Sequence, residues 1–379
     1  MKRICLSVFV LYITALSQLA FAQTETFETT TVYRKGMAGY STFRIPAVVR
    51  TKGDVLLAFA EARRDNGGDA GNIDLVVRRS EDGGRTWGEM IVVWDDADNT
   101  CGNPAPVVDS RSGRVVLLMT WNKGEDKEKD IMQFRSVDTR CVYVAYSDDE
   151  GVSWSKPRDI TSTVKLPTWG WYATGPCHAL QLRGGANEGR LVVPCDHSVQ
   201  VDGEIVYNSH LILSDDGGAT WRIGATLKGG NESTAVQLKD GSIMLNARWQ
   251  LGDERFARHY AISDDGGETM GDVVRDETLI EPVCQGTIIG YQPKSRPVDD
   301  LLFCNPASTK RRELLTLRRS RDGGKSWSEG IVISSGPSAY SDIVVLKGGD
   351  VGVLCEVGEK SPYERIDFRV VPKQLVREQ

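Results

Sequence analysis

The octapeptide SDDGGATW, Ser214 to Trp221, decides the fold. Its Asp-x-Gly core suits a tight turn, because glycine takes positive φ without strain and the aspartate carboxylate can accept backbone N–H groups within the turn. A threonine and a tryptophan then open the next strand, where the indole can pack over the turn. Near-copies stand at 80–87 (SEDGGRTW), 147–154 (SDDEGVSW), 263–270 (SDDGGETM) and 320–327 (SRDGGKSW), so successive starts lie 67, 67, 49 and 57 residues apart. That spacing is too irregular for a solenoid and suits a unit of a few strands. A calcium loop would need a glutamate at its twelfth position, which this pattern lacks.

Each copy follows a β-rich run (DLVVRRS, VYVAYS, HLILS, HYAIS, LLTLRRS) and precedes another. Short strands alternate with Gly, Pro, Asn and Asp turns to the end of the chain, and almost no segment has a helical period. These features predict an all-β six-bladed propeller, with blades of roughly 60 residues and one blade lacking the signature. The charge run KGEDKEKD (123–130) reads as a solvated loop, and no linker marks a second domain.

The first 22 residues, with Lys2 and Arg3 before an apolar run that ends at Ala20-Phe21-Ala22, read as a secretory signal peptide, leaving 23–379 as a single domain. No later segment approaches the roughly 20 apolar residues of a membrane span. After the leader, 44 Lys+Arg stand against 52 Asp+Glu, an acidic balance without a basic cluster, which speaks against nucleic-acid binding. Seven cysteines then remain, scattered and without CxxC spacing, and the four histidines (His178, His197, His210, His259) have no HExxH-like spacing. Neither set suggests a metal, and burial as small apolar groups suits the cysteines, an odd number that leaves at least one unpaired. No Gly-rich phosphate loop opens a helix, so no cofactor is expected.

Polar residues that no strand needs mark the candidate chemistry. Arg44 lies in the apolar run YSTFRIPAVV (40–49), where a cation is costly unless paired or pointed into a polar pocket. The loop EARRDNGGDAGNIDLVV (61–77) sets glycines densely beside two arginines. Tyr340, in GPSAYSDIVV, taken by itself reads as an ordinary aromatic.

FRIP near the N-terminus, followed by several S-x-D-x-G-x-T-W boxes, resembles the exo-α-sialidases of the bacterial and animal type, which are six-bladed β-propellers. The resemblance covers essentially all of 23–379. It implies hydrolysis of terminal sialic acids on sialylated glycoproteins, glycolipids and oligosaccharides, without a cofactor. Arg44, Arg248 of LNARW and Arg312 of KRRELLTLRRS match the three arginines that clamp the sugar carboxylate, with Arg311 a near rival for the third place. Guanidinium forks stay charged and bind carboxylates bidentately, which suits that task. Glu364 of YERIDFRVV resembles the acid that holds the first arginine.

Tyr340 matches the nucleophile and Glu232 of GNESTAVQL its partner. A phenol is neutral until a base draws off its proton, so it is not repelled by the carboxylate on the anomeric carbon, and its pKa of about 10 makes that base necessary. Asp69 best matches the acid/base, with Asp65 and Asp74 as alternatives, and Arg63 resembles an arginine near O4. Asn103 stands where many bacterial relatives have an aspartate. Trp121, or the cluster TWGWYATGPCHALQL (168–182), could supply the pocket for the acylamino group or the aglycone. A trans-sialidase or intramolecular trans-sialidase would share these residues, and a non-catalytic binding propeller would lack at least one of Tyr340, Glu232 and Asp69.

Overall fold

The computed structural model describes residues 27–250, 252, 254–291 and 298–379, so residues 1–22, expected to be a signal peptide, lie outside the described residues. Among the described residues the fold is nearly all β: antiparallel meanders gathered into four hydrogen-bonded sheets of eight, five, four and seven strands. The mainly apolar strands Leu56–Arg63 and Val351–Val357 are buried at every position, the charged Glu61, Arg63 and Glu356 included, while Val274–Ile280 is mostly exposed. Among the described residues, the α-helices are the short segments Glu128–Met132, Thr161–Val164 and Lys373–Glu378.

The sheets are not independent. The two halves of the eight-stranded sheet meet at one parallel pair, Ile73 against Thr100. In the seven-stranded sheet the long strand Ile331–Val345 pairs first with Glu313–Ser320 and then with Val351–Val357, passing from one meander into the next. The strand Glu28–Arg34 pairs antiparallel with Arg365–Val371, so both ends of the described chain share one sheet. The apolar clusters lie between successive meanders, and one of them joins Val48, Leu56 and Ala58 to Val344, Leu354 and Phe368 from the far end of the chain.

The boxes are turns, and their hydrogen bonds explain their sequence. In the first, Asp82 accepts from the Ser80 hydroxyl (2.8 Å), the Thr86 N–H (2.9 Å) and the Thr86 hydroxyl (2.6 Å), while the Trp87 indole donates to the Gly84 carbonyl (3.1 Å). Asp149, Asp216, Asp265 and Asp322 accept from the equivalent hydroxyls in the other copies. Gly83 and Gly84 both have positive φ, and a Cβ on Gly84 would come within 2.1 Å of the Phe368 ring, so the turn needs glycine for conformation and for space.

The charge run at 123–130 is not simply a solvated loop. It leads into the helix Glu128–Met132, with Ile131 buried, and Asp126 accepts the N–H groups of Val137 (2.7 Å) and Asp138 (2.9 Å). The apolar residues that seat this segment, Ile131 and Met132, lie just past the run that was read by its charge.

Candidate active site

The run FRIP forms a bulge. The register of Thr42–Arg50 against Leu56–Arg63 shifts between Arg44 and Ala47, and Ile45 has φ of 59°. A bulge re-aims a side chain, and here Arg44 turns into a pocket while only 7 % exposed. Its fork is held by Glu356, which accepts from Nε (2.9 Å) and Nη2 (3.2 Å). Glu356 also accepts the N–H groups of Ile45 (2.9 Å) and Tyr340 (3.1 Å), fixing the bulge and the tyrosine strand together.

This corrects the expectation for Glu364. That carboxylate accepts the backbone N–H groups of Glu359, Lys360 and Ser361, which hold its pKa below the usual range, and it does not touch Arg44. Glu364 sits where it can close its own turn, whereas Glu356 lies inside the buried strand Val351–Val357 beside the bulge.

Arg248 donates from Nη1 to Glu232 (2.6 Å) and to the Tyr340 hydroxyl (3.2 Å), and its buried Nε has no partner among the described residues. Arg312 donates to the Tyr363 hydroxyl (2.9 Å) and the Val283 carbonyl (3.1 Å), with its guanidinium carbon 5.4 Å from the centre of the Tyr340 ring. Arg311 is exposed, pairs with Glu313 (3.5 Å) and is absent from the pocket wall, so the geometry favours Arg312. The Tyr340 hydroxyl donates to Glu232. Burial, and then the charge of Glu232, raise the Tyr340 pKa well above 10, against the opposing pull of Arg248 and Arg312.

Arg63 shapes the glycine-rich loop. It donates to the carbonyls of Gly67 (2.7 Å) and Gly68 (3.0 Å) and pairs with Asp69 (2.7 Å), which lies 3.7 Å from Arg44. Burial alone would raise the Asp69 pKa, but Arg63 and Arg44 together hold it below 3.8. Of the alternatives, Asp74 is buried elsewhere against Tyr40 and Arg64, and Asp65 is exposed and absent from the pocket wall. Asn103 lines the pocket, and its side-chain oxygen accepts from Thr120 (2.8 Å) and Arg140.

Trp121 does not line the pocket. Its indole donates to Asp96 (2.7 Å), because strand alternation turns Thr120 toward Asn103 and Trp121 to the opposite face. The tryptophan that lines the pocket is Trp171, from the 168–182 cluster, with the Arg140 guanidinium carbon 3.9 Å from its ring centre. Glu356, Glu61, Glu128, Arg140 and Asp196 were missed. Glu356, Glu61 and Asp196 carry the signal that singled out Arg44, a charge within an apolar strand.

Among the described residues, Cys177, His178 and Asp342 stand close enough to share an ion. The Asp342 oxygens are already taken up by the N–H groups of Val48 (2.8 Å) and His178 (2.9 Å), the Thr287 hydroxyl (2.9 Å) and His178 Nδ1 (2.6 Å), so the group is a hydrogen-bonded hub.

The pocket thus sets a carboxylate-bound tyrosine among three arginines, with an aspartate on a neighbouring loop. The profile of the BNR repeat-like domain matches residues 54–353. A sialidase of Micromonospora viridifaciens is 32 % identical over 348 residues, 88 % of this chain and 52 % of the relative. An exo-alpha-sialidase of Arthroderma benhamiae is 32 % identical over 302 residues, 75 % of this chain and 68 % of the relative. The solved Hadza microbial sialidase Hz136 superposes with a TM-score of 0.80 at 27 % identity, covering 92 % of this chain and 69 % of that one. The chain belongs to the sialidase family of BNR-repeat proteins. It spans about half the length of the Micromonospora relative.

Proposed function

We propose that this protein is an exo-α-sialidase that releases terminal sialic acids from glycoconjugates with retention of configuration. The observation that carries the reading is the Tyr340–Glu232 hydrogen bond inside a pocket lined by Arg44, Arg248 and Arg312. Glycosidases usually work with two carboxylates, and sialidases are the tyrosine exception. The three arginines seat the sugar carboxylate. Asp69 protonates the leaving oxygen while Glu232 takes the Tyr340 proton and the phenolate oxygen bonds to the anomeric carbon. Asp69, now a carboxylate, then removes a proton from water, whose oxygen displaces the tyrosine, and Glu232 returns the proton to Tyr340. Both steps pass through an oxocarbenium-like state.

The fold reading that accompanies it is a closed six-bladed propeller formed by a single catalytic domain, 23–379. Six apolar clusters between successive meanders support it, the last returning to the first meander. The leader at 1–22 supports export. The test follows a sialoside by proton NMR with wild type and Tyr340→Phe. The α-anomer of the free sugar should appear first with wild type, and at a rate lower by orders of magnitude with the variant. Initial release of the β-anomer, a transferred or anhydro sugar as the main product, or a variant as fast as wild type would each reject the scheme.

A further inference from the structure

One carboxyl group in the pocket has no hydrogen-bond partner on either oxygen among the described residues. It belongs to Asp196, which is 1 % exposed on the strand Leu191–Val201 and lines the pocket. A buried polar group without partners is costly, and the same strand carries valine, cysteine and histidine at neighbouring positions. Stability therefore does not account for the aspartate.

Neither nearby cation is hydrogen-bonded to it, and Arg248 donates to Glu232 and Tyr340. Arg140 is spent on other acceptors: Nε donates to the Tyr172 carbonyl (2.7 Å), and its two terminal nitrogens donate to Asn122, Asn103 and Thr120. Across the sheet Asp196 stands opposite Ala173 and Ser209, and the small Ala173 also lines the pocket. Glu128, also on the wall, accepts the Tyr207 hydroxyl (3.2 Å). Burial, then the charges of Glu232 and Glu128, push the Asp196 pKa well up, against the pull of Arg248 and Arg140. A carboxyl that keeps its proton both donates and accepts, which matches a hydroxyl group.

We infer that Asp196 is a specificity-determining residue that pairs with a hydroxyl on one arm of the bound sugar, so that sialosides are discriminated by the hydroxyls they carry apart from the carboxylate. The inference rests on the sialidase reading above. Two arms of a sialic acid can bring such a hydroxyl: the acyl group on nitrogen, when it is glycolyl and not acetyl, and the glycerol tail. Both are the same chemistry at the protein.

The test compares kcat/KM for aryl sialosides with one aglycone. The first arm is the ratio of N-glycolyl to N-acetyl substrate; the second is the ratio of intact to tail-shortened N-acetyl substrate. At least one ratio should be about tenfold or more in wild type, the scale of one hydrogen bond to a buried polar partner. That ratio should fall to within about twofold in Asp196→Ala, and the arm that collapses identifies the hydroxyl. Asp196→Asn, close in shape, should keep part of the ratio, and it carries the comparison if the alanine variant does not fold. A purely structural role would slow all substrates alike and leave both ratios unchanged, which overturns the inference. Ratios near one in wild type overturn it as well, while the sialidase reading stands. A wild type that cleaves none of the sialosides overturns both.

Discussion

The Tyr340 hydroxyl donates to a Glu232 carboxylate that lies 108 residues earlier in the chain and that also receives Arg248 at 2.6 Å. In the proposed scheme Glu232 is both the base for the phenol and the anchor of one clamp arginine. The two duties separate in Glu232→Gln, which keeps an acceptor for Arg248 but loses basicity. The expected result is a fall in kcat of about 10²–10⁴-fold, the usual worth of a positioned general base, with a smaller change in KM. A kcat within threefold of wild type in steady-state assays would remove Glu232 from that role.

Arg44 depends on Glu356 and not on Glu364. Removing Glu356 leaves a buried guanidinium without its bidentate partner and frees the N–H groups of Ile45 and Tyr340. Breaking a buried pair from one side typically costs about 3–5 kcal/mol. Glu356→Gln should therefore lower the unfolding midpoint clearly and weaken a carboxylate inhibitor. Glu364→Gln should leave inhibitor binding and kcat/KM within about twofold. Equal effects from the two substitutions, measured by thermal melts and inhibition constants, would contradict this assignment.

Although desolvation disfavours its charge, Arg63 and Arg44 hold Asp69, its side chain 65 % exposed, ionised in the free protein, which is the wrong state for a general acid. A substrate carboxylate seated on Arg44 would compete for that guanidinium and add negative charge beside Asp69, both of which raise its pKa. The limb due to Asp69 should then lie below 3.8 in the pH profile of kcat/KM and move upward in that of kcat. Asp69→Ala should slow an alkyl or sugar leaving group about 10²–10⁴-fold but an activated aryl group far less, since the latter needs no proton. Equal losses on both leaving groups would exclude Asp69 as the acid.

The boxes should matter for stability and not for chemistry. Asp82→Ala removes the acceptor for one N–H and two hydroxyls, and should cost about 1–2 kcal/mol while leaving kcat/KM unchanged. Although desolvation opposes it, the Thr86 and Ser80 hydrogen bonds bring the Asp82 pKa down to about 2. Its contribution is therefore present above the ordinary 3.8 and lost as pH falls through about 2. Loss of activity in a folded Asp82→Ala protein would contradict a purely structural box.

Turn chemistry was legible because it is local. Ser80, Asp82, Gly84 and Trp87 contact one another within eight residues, so one octapeptide states the whole geometry. The pocket was legible where a residue broke its local pattern, as Arg44 does in FRIP, or where family resemblance supplied the role, as for Tyr340. Glu356 breaks its strand in the same way, but its partner is 312 residues distant, so the local pattern marks the charge without saying what it holds. Trp121 failed for a simpler reason. Which face of Val115–Asn122 looks into the pocket is set by its neighbours, and a one-residue step turns a side chain to the other side.

Two buried histidine sites should give the stability curve opposite slopes on its two sides. Burial disfavours a charged His178, but the Asp342 carboxylate at 2.6 Å outweighs it and raises the pKa above 6.5. A group raised on folding stabilises fully below its unfolded pKa, so this contribution is present under about pH 6.5 and lost as pH rises through the raised value. His197 is the reverse. It stacks on Trp169 with ring centres 3.6 Å apart, and burial, with a smaller effect from Lys165, lowers its pKa to about 3. Its Nδ1 lies 2.9 Å from Nδ1 of His210, a contact that needs one lone pair, and His210 Nε2 faces the Tyr172 hydroxyl at 3.0 Å. His197 Nε2 faces the Asn208 amide nitrogen at 3.4 Å, which can only donate, so protonation there would set two donors against each other. Because the unfolded chain takes up this proton near pH 6.5 and the folded one near 3, stability falls as pH drops across that interval. Each proton contributes a slope of about 1.4 kcal/mol per pH unit. Urea unfolding from pH 4 to 9 should show the acid slope reduced by about one proton in His197→Phe, which can keep the stack on Trp169. In His178→Asn the decline above neutrality should flatten while the acid slope persists. An acid slope unchanged in His197→Phe, or an alkaline decline unchanged in His178→Asn, would assign that limb to other groups.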